Sequence, residues 1–379
     1  MTGRSVAEAS LAIRSLQRVF APFQAPDPAF STFELWPWYL FYLPLVAQWA
    51  AQSVRHGGLT LPTVANPCMP AGGLCGESKV EILSQLGREG RKWLAPYTSL
   101  TVASASGSPR SNLAQALAAL ETAAIEFPFV AKPDIGCRGS GVRVIATVDD
   151  LASYLAAFPR GERVIFQQLV VDEGEAGVFY IRRPGEASGR IFSLTLKYFP
   201  FVVGDGRSTL EQLIQADPRA SRIAPIYLRR HAGQRRRVLA SGETFRLVFA
   251  GNHCRGAVFR NGIGHVTPAM TARFDAIAQG MPEFYFGRFD VRFASLGDFK
   301  RGENFTLIEV NGAGSEAVHI WDRTTRLLDA YRTLFEQHRL LFEISAENRR
   351  RGCKPMGVFR LLRLYARQLR LMARYPLTG

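Results

Sequence analysis

The chain has 379 residues, enough to bury a large core and to divide into two or three domains. Hydrophobic residues make up 47% and charged residues 21%, which excludes a low-complexity disordered chain. The formal charge of +15 is uneven: no acidic residue follows Asn348, while Arg349, Arg350, Arg351, Lys354 and a further series of arginines do, so the rest of the chain is only mildly basic.

Cys68, Cys75, Cys137, Cys254 and Cys353 form no CxxC pair and no zinc spacing, as expected of a reduced, cytoplasmic compartment. The first twenty residues place Arg4, Arg14 and Arg18 around an amphipathic pattern without a long apolar run, so no signal peptide is expected. The organisation expected along the chain is a helical, aromatic segment over 1–58, a region over 59–127, two further stretches over 128–200 and 201–345, and a basic amphipathic tail over 346–379.

A short helix is expected over Val6–Phe20. Leu35–Val54 carries no charge and holds three of the five tryptophans. Its length permits a membrane span, but Pro37 and Pro44 interrupt it, leaving a buried or peripheral helical hairpin and an interfacial segment as the other readings. Leu59–Lys79 is Gly/Pro-rich loop, and a helix follows from Ser78 to Leu86. Lys79 at that N-terminus is electrostatically unfavourable unless an anion lies near, or is simply an exposed lysine. Another helix covers Ser111–Ile125.

Phe129–Lys132 reads as a strand broken by Pro133. The loop Asp134–Gly141 and a second strand, Val142–Ile145, follow. Gly136, Gly139 and Gly141 allow backbone N–H groups to turn inward around an anion, although the same pattern also makes an ordinary hairpin turn. It is not a Walker A loop, because a strand follows and GK[ST] is missing. Thr147 and Asp150 begin a helix over Leu151–Phe158. Strands are expected at Arg163–Val171, Glu175–Arg182 and Gly189–Phe199, and a helix after Gly204 capped by Ser208 and Glu211. A further strand pair is expected at Thr244–Ala250 and Ala257–Arg260, then the helix Pro268–Gln279.

Phe289–Ala294 and Phe305–Val310 read as an antiparallel hairpin. Alternation puts Arg288, Asp290 and Arg292 on one face and Phe289, Val291 and Phe293 on the other. A loop centred between Phe299 and Lys300 sets Asp290 opposite Glu309, with Asn311 on the same face as Glu309. Opposed carboxylates repel unless a cation lies between them, and two carboxylates with an amide suit Mg²⁺. A solvated strand end with scattered charge is the other reading. Asp322–Glu343 is a long amphipathic helix. Met356–Arg374 is helical in pattern, with Arg360, Arg363, Arg367, Arg370 and Arg374 in one stripe. That stripe fits an anionic membrane surface or an acidic patch of the protein itself. Nucleic acid is disfavoured, since no aromatic interleaving or known module accompanies it.

In this order, strand–lysine–glycine loop, hydrophobic hinge, acidic residue, second lysine, then FGRFDVRF and LIEVNGAGS, the chain resembles the ATP-grasp superfamily of carboxylate–amine ligases over Lys79–Asn311. D-alanine–D-alanine ligases are nearest by motif, and Gly204–Leu213 and Gly242–Ala257 look more like cyanophycin synthetase. The resemblance implies an ATP-grasp fold of mixed α+β and α/β character, in which two α+β subdomains, over 128–200 and 201–345, grip ATP. It implies that Lys132 and Lys197 contact ATP phosphates, with Lys79 as a looser further match. The loop from Gly136 through Gly139, Ser140 and Gly141 would cover the β- and γ-phosphates. Gln168, Leu169, Val170 and Val171 would form the hinge for adenine, and Glu175 would accept the ribose hydroxyls. Asp290, Glu309 and Asn311 would hold two Mg²⁺ ions, with Mn²⁺ a substitute, and Arg288 would face the reacting carboxylate.

The implied activity is ATP-dependent amide-bond formation through an acylphosphate, with an amino acid or small peptide as substrate, in the cytoplasm or at the inner face of the membrane. The alternative is a membrane-surface protein, held through 35–54 and 356–379, whose core binds ATP without ligase activity. A basic nucleic-acid binder is a third. Three departures stand out: GAGSE follows Asn311, Leu35–Val54 replaces a tidy N-terminal domain, and Gln167–Gln168 stand where relatives carry an acid. His253, Arg255, His265, Glu316 and His319 would line an acceptor pocket or be structural. Cys137, inside the phosphate loop, is expected to block ATP when alkylated.

Overall fold

Alternating strand patterns in the sequence become two antiparallel sheets that face each other across a cleft. The structure, a computed structural model, describes residues 31–34, 36–103, 109–248 and 256–378. The helix expected over Val6–Phe20 and the residues His253 and Arg255 lie outside them.

The aromatic segment forms one helix, α1 (Trp38–His56), and not a hairpin. Pro44 lies inside it, and the carbonyl it leaves without a helical partner is that of Leu40, an exposed residue. Phe41 and Leu45 are buried, and Gln48 donates to the Phe335 carbonyl at 2.7 Å on the long helix Leu327–Arg350. No helix among the described residues is long and apolar enough to cross a membrane. Two short helices follow, α2 (Lys79–Ser84) and α3 (Arg88–Arg91).

The smaller sheet is built from β1 (Tyr97–Thr101), β2 (Phe129–Pro133), β3 (Arg143–Ile145) and β4 (Arg163–Gln168), in the order β1-β4-β2-β3. Helices α4 (Pro109–Thr122) and α5 (Val148–Ala157) cover it, and Leu120, Leu151, Tyr154, Phe129 and Phe166 fill the space between. Thr147 and Asp150 form the capping box expected for α5.

The larger sheet contains β5 (Gly174–Ile181), β6 (Arg190–Tyr198), β9 (Val258–Asn261), β10 (Phe286–Phe293) and β11 (Phe305–Asn311), in the order β11-β10-β5-β6-β9. Between β6 and β9 the chain makes a two-stranded ribbon, β7 (Phe201–Val203) with β8 (Thr244–Arg246). Helices α6 (Leu210–Ala216) and α7 (Ala224–Arg230) contribute to the ribbon's small core. The strand pair expected from Thr244–Ala250 and Ala257–Arg260 is therefore corrected: β8 pairs with β7, and β9 pairs with β6. The capping box of α6 also shifts by one residue, to Thr209 and Gln212, because Asp205 of the preceding turn takes the Ser208 hydroxyl.

Phe289, Val291 and Phe293 pack beneath the large sheet against α8 (Pro268–Gln279), with Ile82 and Leu83 of α2 in the same core. Instead of a plain loop, the short helix α9 (Leu296–Lys300), capped by Ser295, joins β10 to β11. Asp290 still pairs with Glu309, and a bulge after it sets Val291 opposite Leu307. The chain ends in α10 (Leu327–Arg350) and α11 (Val358–Met372). Two α+β lobes closing on a cleft are the arrangement that the ATP-grasp resemblance implies, and the chain adopts it.

Candidate active site

The cleft has a volume of about 950 Å³ and is lined from both sheets. Its floor is the upper face of β5, β6, β10 and β11. Antiparallel register brings Glu175 opposite Lys197 and Arg292, and Arg288 opposite Asn311. Asp290 is 3% exposed and takes bonds from Lys197 at 2.9 Å, from Arg288 at 2.9 Å and from Asn311 at 3.2 Å. Burial raises the Asp290 carboxyl, but Arg288 and Lys197 more than reverse this and hold it at about 2. Arg288 lies flat over β5 because position 177 is glycine: a Cβ there would sit 2.9 Å from its Cδ. Both oxygens of Glu175 are engaged, by Lys197 and Arg292 at 3.1 Å each, rather than open to solvent.

Three lysines converge from different elements. Lys197 comes from β6, Lys132 from β2 of the other lobe, and Lys79 from the first turn of α2. Lys132 is 7% exposed, and among the described residues its ammonium reaches only neutral acceptors, Gln167 Oε1 at 2.7 Å and the Ile308 carbonyl at 3.0 Å. Burial therefore lowers it to about 8, only partly offset by the more distant Glu309 charge. Beside it, Gln167 Nε2 is buried without a hydrogen-bond partner among the described residues. An ammonium and an amide donor left in this condition inside a cleft are complementary to an anion.

The anion that the start of α2 calls for is supplied by the chain itself. Asp134, at the root of the glycine loop, accepts from Val80 N at 2.9 Å and from the Ser78 hydroxyl at 2.8 Å. Lys79 then extends to the Gly136 carbonyl at 2.5 Å and to Glu309 at 3.3 Å. Burial disfavours its charge, and Glu309 outweighs that and raises it.

The glycine loop follows β2. Arg138, Gly139 and Gly141 hold φ of 55°, 68° and 71°, so the loop runs through the left-handed region that glycine tolerates best. Gly136, Gly139 and Ser140 line the cleft, as do Gln168, Leu169 and Val170 where β4 leads into β5. Sequence reasoning missed what secures the loop. The segment after α11 turns back so that Tyr375 donates to the Ile135 carbonyl and Thr378 to the Gly139 carbonyl, at 2.7 and 2.9 Å. Gln368 accepts from Gly76 N at 2.6 Å, and Arg367 pairs with Glu162 at 2.9 Å. Of the arginine stripe, Arg367 is paired with an acid among the described residues, and the stripe otherwise stays exposed while the helix docks through its other face. Only Gln368 and Leu371 of α11 are buried, and no sequence periodicity announces an uncharged glutamine as an anchor.

Beyond Asn311 the chain departs from the ligase wording for a packing reason. Gly312 and Gly314 lie backbone to backbone against Gly72, Gly73 and Leu74, with Gly314 N donating to the Gly73 carbonyl at 2.7 Å. A Cβ on Gly73 would come within 2.6 Å of the Gly312 Cα.

Of the residues assigned to an acceptor pocket, Glu316 lines the cleft. His319 instead bonds Ser193 Oγ at 2.6 Å, and His265 sits in a 3-10 turn away from the lining. Among the described residues no group of three or more His, Cys, Asp or Glu side chains could hold a metal. Asp290, Glu309 and Asn311 do share the cleft floor, and their hard oxygens fit an Mg²⁺ that draws the rest of its shell from phosphate and water.

Among solved structures, the chain is similar to a bifunctional glutathione synthetase from Pasteurella multocida, with 17% identity over 70% of this chain and 38% of that one, TM-score 0.34. It is similar to the D-cycloserine synthetase DcsG, with 13% identity over 69% and 70%, TM-score 0.37. It is similar also to D-alanine–D-alanine ligase from Bacillus anthracis, with 12% identity over 75% and 72%, TM-score 0.39. The chain thus spans well under half the length of the glutathione synthetase. No family model matches the chain, and no curated protein does.

Proposed function

We propose that this chain is an ATP- and Mg²⁺-dependent ligase that joins a carboxylate to an amine through an acylphosphate, with an amino acid or small peptide among its substrates. The observation that carries the reading is Lys132: a buried ammonium held only by neutral oxygens, above a floor of paired carboxylates and under a glycine-rich loop.

A carboxylate is a poor electrophile, so it must be phosphorylated before an amine can displace it. Phosphoryl transfer depends on positioning and charge neutralisation more than on covalent help. Lys132 and Lys197 hold phosphate oxygens from opposite lobes, and the loop that carries Gly136, Gly139 and Ser140 closes over them. The hinge Gln168–Val170 offers backbone groups to adenine. Magnesium, held by Asp290, Glu309 and Asn311 together with phosphate oxygens, would neutralise charge on the transferring group. Arg288, fixed by its two bonds to Asp290, directs its remaining face at the reacting carboxylate and donates to the oxyanion that forms under amine attack.

The test is release of ADP in the presence of a panel of amino acids. Asp290→Ala and Glu309→Ala should each lower turnover on the order of a hundredfold or more, the range for loss of charge stabilisation at a transition state. Turnover that survives both substitutions overturns the mechanism.

A further inference from the structure

The far end of the cleft has no task in nucleotide binding. It is walled by Trp36, Trp38, Phe41, Tyr42, Phe259 and Trp321, brought together by α1 and the turn after β11. The wall is a packed surface: the rings of Phe41 and Trp321 are 4.7 Å apart, and Phe41 stands edge-on to Tyr42 at 5.1 Å. Trp38 is 74% exposed and Trp36 is 45% exposed, so their faces remain open.

Two carboxylates reach this wall, and they differ. Glu34 forms a buried ion pair with Arg219 and has no charge to offer. Glu316 accepts from the Tyr42 hydroxyl at 2.8 Å and from Trp321 Nε1 at 3.1 Å, both neutral donors. Among the described residues no ammonium or guanidinium lies within ion-pair distance of it, and burial raises its carboxyl above the usual range against smaller opposing effects of its two donors and of the Arg288 and Arg138 charges. A carboxylate bedded in indole and phenol, with neutral donors only, gains most from a cation. Its main-chain carbonyl accepts from Arg288 at 3.2 Å, so it adjoins the residue assigned to the reacting carboxylate.

We propose that this end of the cleft is the amine-acceptor subsite, taking a primary ammonium that carries an aromatic or large apolar group, with the nitrogen on Glu316 and the side group against Trp36 and Trp38. The name acceptor rests on the ligase reading, whereas the binding of such an amine does not. Aromatic faces attract both an apolar ring and a desolvated cation, and Glu316 repels an acid of the same shape.

Calorimetry and tryptophan fluorescence on the full chain would follow phenylalaninamide, glycinamide and 3-phenylpropionate, each with and without magnesium and β,γ-imido-ATP. Phenylalaninamide should bind about tenfold tighter than glycinamide, and 3-phenylpropionate should be the weakest. Glu316→Gln and, at the exposed ring, Trp38→Ala should each weaken phenylalaninamide severalfold while the affinity for the ATP analogue stays unchanged. Equal binding of the two amides, preference for the acid, or indifference to Glu316→Gln overturns the proposal. Amine binding without any binding of the ATP analogue would remove the ligase reading and leave the subsite. Nucleotide binding without amine preference would do the reverse.

Discussion

The ammonium of Lys79 lies 3.3 Å from Glu309 and 2.5 Å from the Gly136 carbonyl, so one side chain ties the carboxylate floor to the phosphate loop. In this arrangement Glu309 already has a cation, and Asp290 has two. A divalent ion on its own must displace them. Magnesium alone should therefore give no heat in calorimetry, and magnesium with ATP should give a clear isotherm. Lys79→Ala should weaken ATP about tenfold, as expected for one charge-assisted contact. Tight magnesium binding without nucleotide would contradict this account.

Lys132 titrates near pH 8 because its burial has no carboxylate to compensate it fully. An arriving phosphate stabilises the charged form and raises it. Binding of ATP should therefore take up a proton between about pH 8 and 9, and affinity should fall as pH rises through that range. The sign for folding is opposite to that of a salt-bridged lysine. Between about 8 and the ordinary lysine value the unfolded chain holds more protons, so the stability of the ligand-free protein rises with pH there. Calorimetric enthalpies measured in buffers of different ionisation heat report the uptake, and Lys132→Met should abolish it.

The tail bonds to the loop are individually modest, on the order of 1 kcal/mol each. Tyr375→Phe and Thr378→Val should each weaken ATP a few-fold by leaving the loop less ordered, with little change in melting temperature. Nucleotide affinity beside thermal melts separates this from a loss of fold. Cys137 is exposed in the same loop, with its sulfur 3.7 Å from that of Met372. Alkylation there should block ATP, and a Cys68→Ala variant controls for the other exposed thiol among the described residues.

Two half-buried histidines set the acid limit. Desolvation lowers His338 to about 4, and lowers His319 to about 4 against a smaller opposing effect of Asp322. Both are neutral in the fold and charge more readily once unfolded. Stability is therefore lost as pH falls from about 6.5 to about 4, by up to roughly 3 kcal/mol per residue. Thermal melts across that range should show the slope, and the pair His319→Gln with His338→Gln should flatten it.

Much of the floor was readable because strand alternation is a strict period. Arg288, Asp290 and Arg292 had to share a face opposite the phenylalanines, and the register Asp290–Glu309 followed from the centre of the connection. The bulge and α9 escaped, since neither changes the alternation up to Asp290. The partners of Glu175 escaped for a different reason: they depend on which strands neighbour β5, and β10 is distant from it in sequence. Of the three readings of Leu35–Val54, the hairpin fails, because its prolines look like breaks but fall at and within one helix. The contacts with α10 that hold one helix together around Pro44 are tertiary. Tyr375 and Thr378 carry no motif at all, and only the fold brings them to the loop.

The seam between Gly72–Gly73 and Gly312–Gly314 leaves anyone wishing to redirect this protein toward new compounds a narrow choice. Each strip is the other's steric boundary, so a library that diversifies either one alone would return mostly collapsed clones. The exposed Trp36 and Trp38 opposite make the natural place to randomise, whereas Trp321 is packed against Phe41.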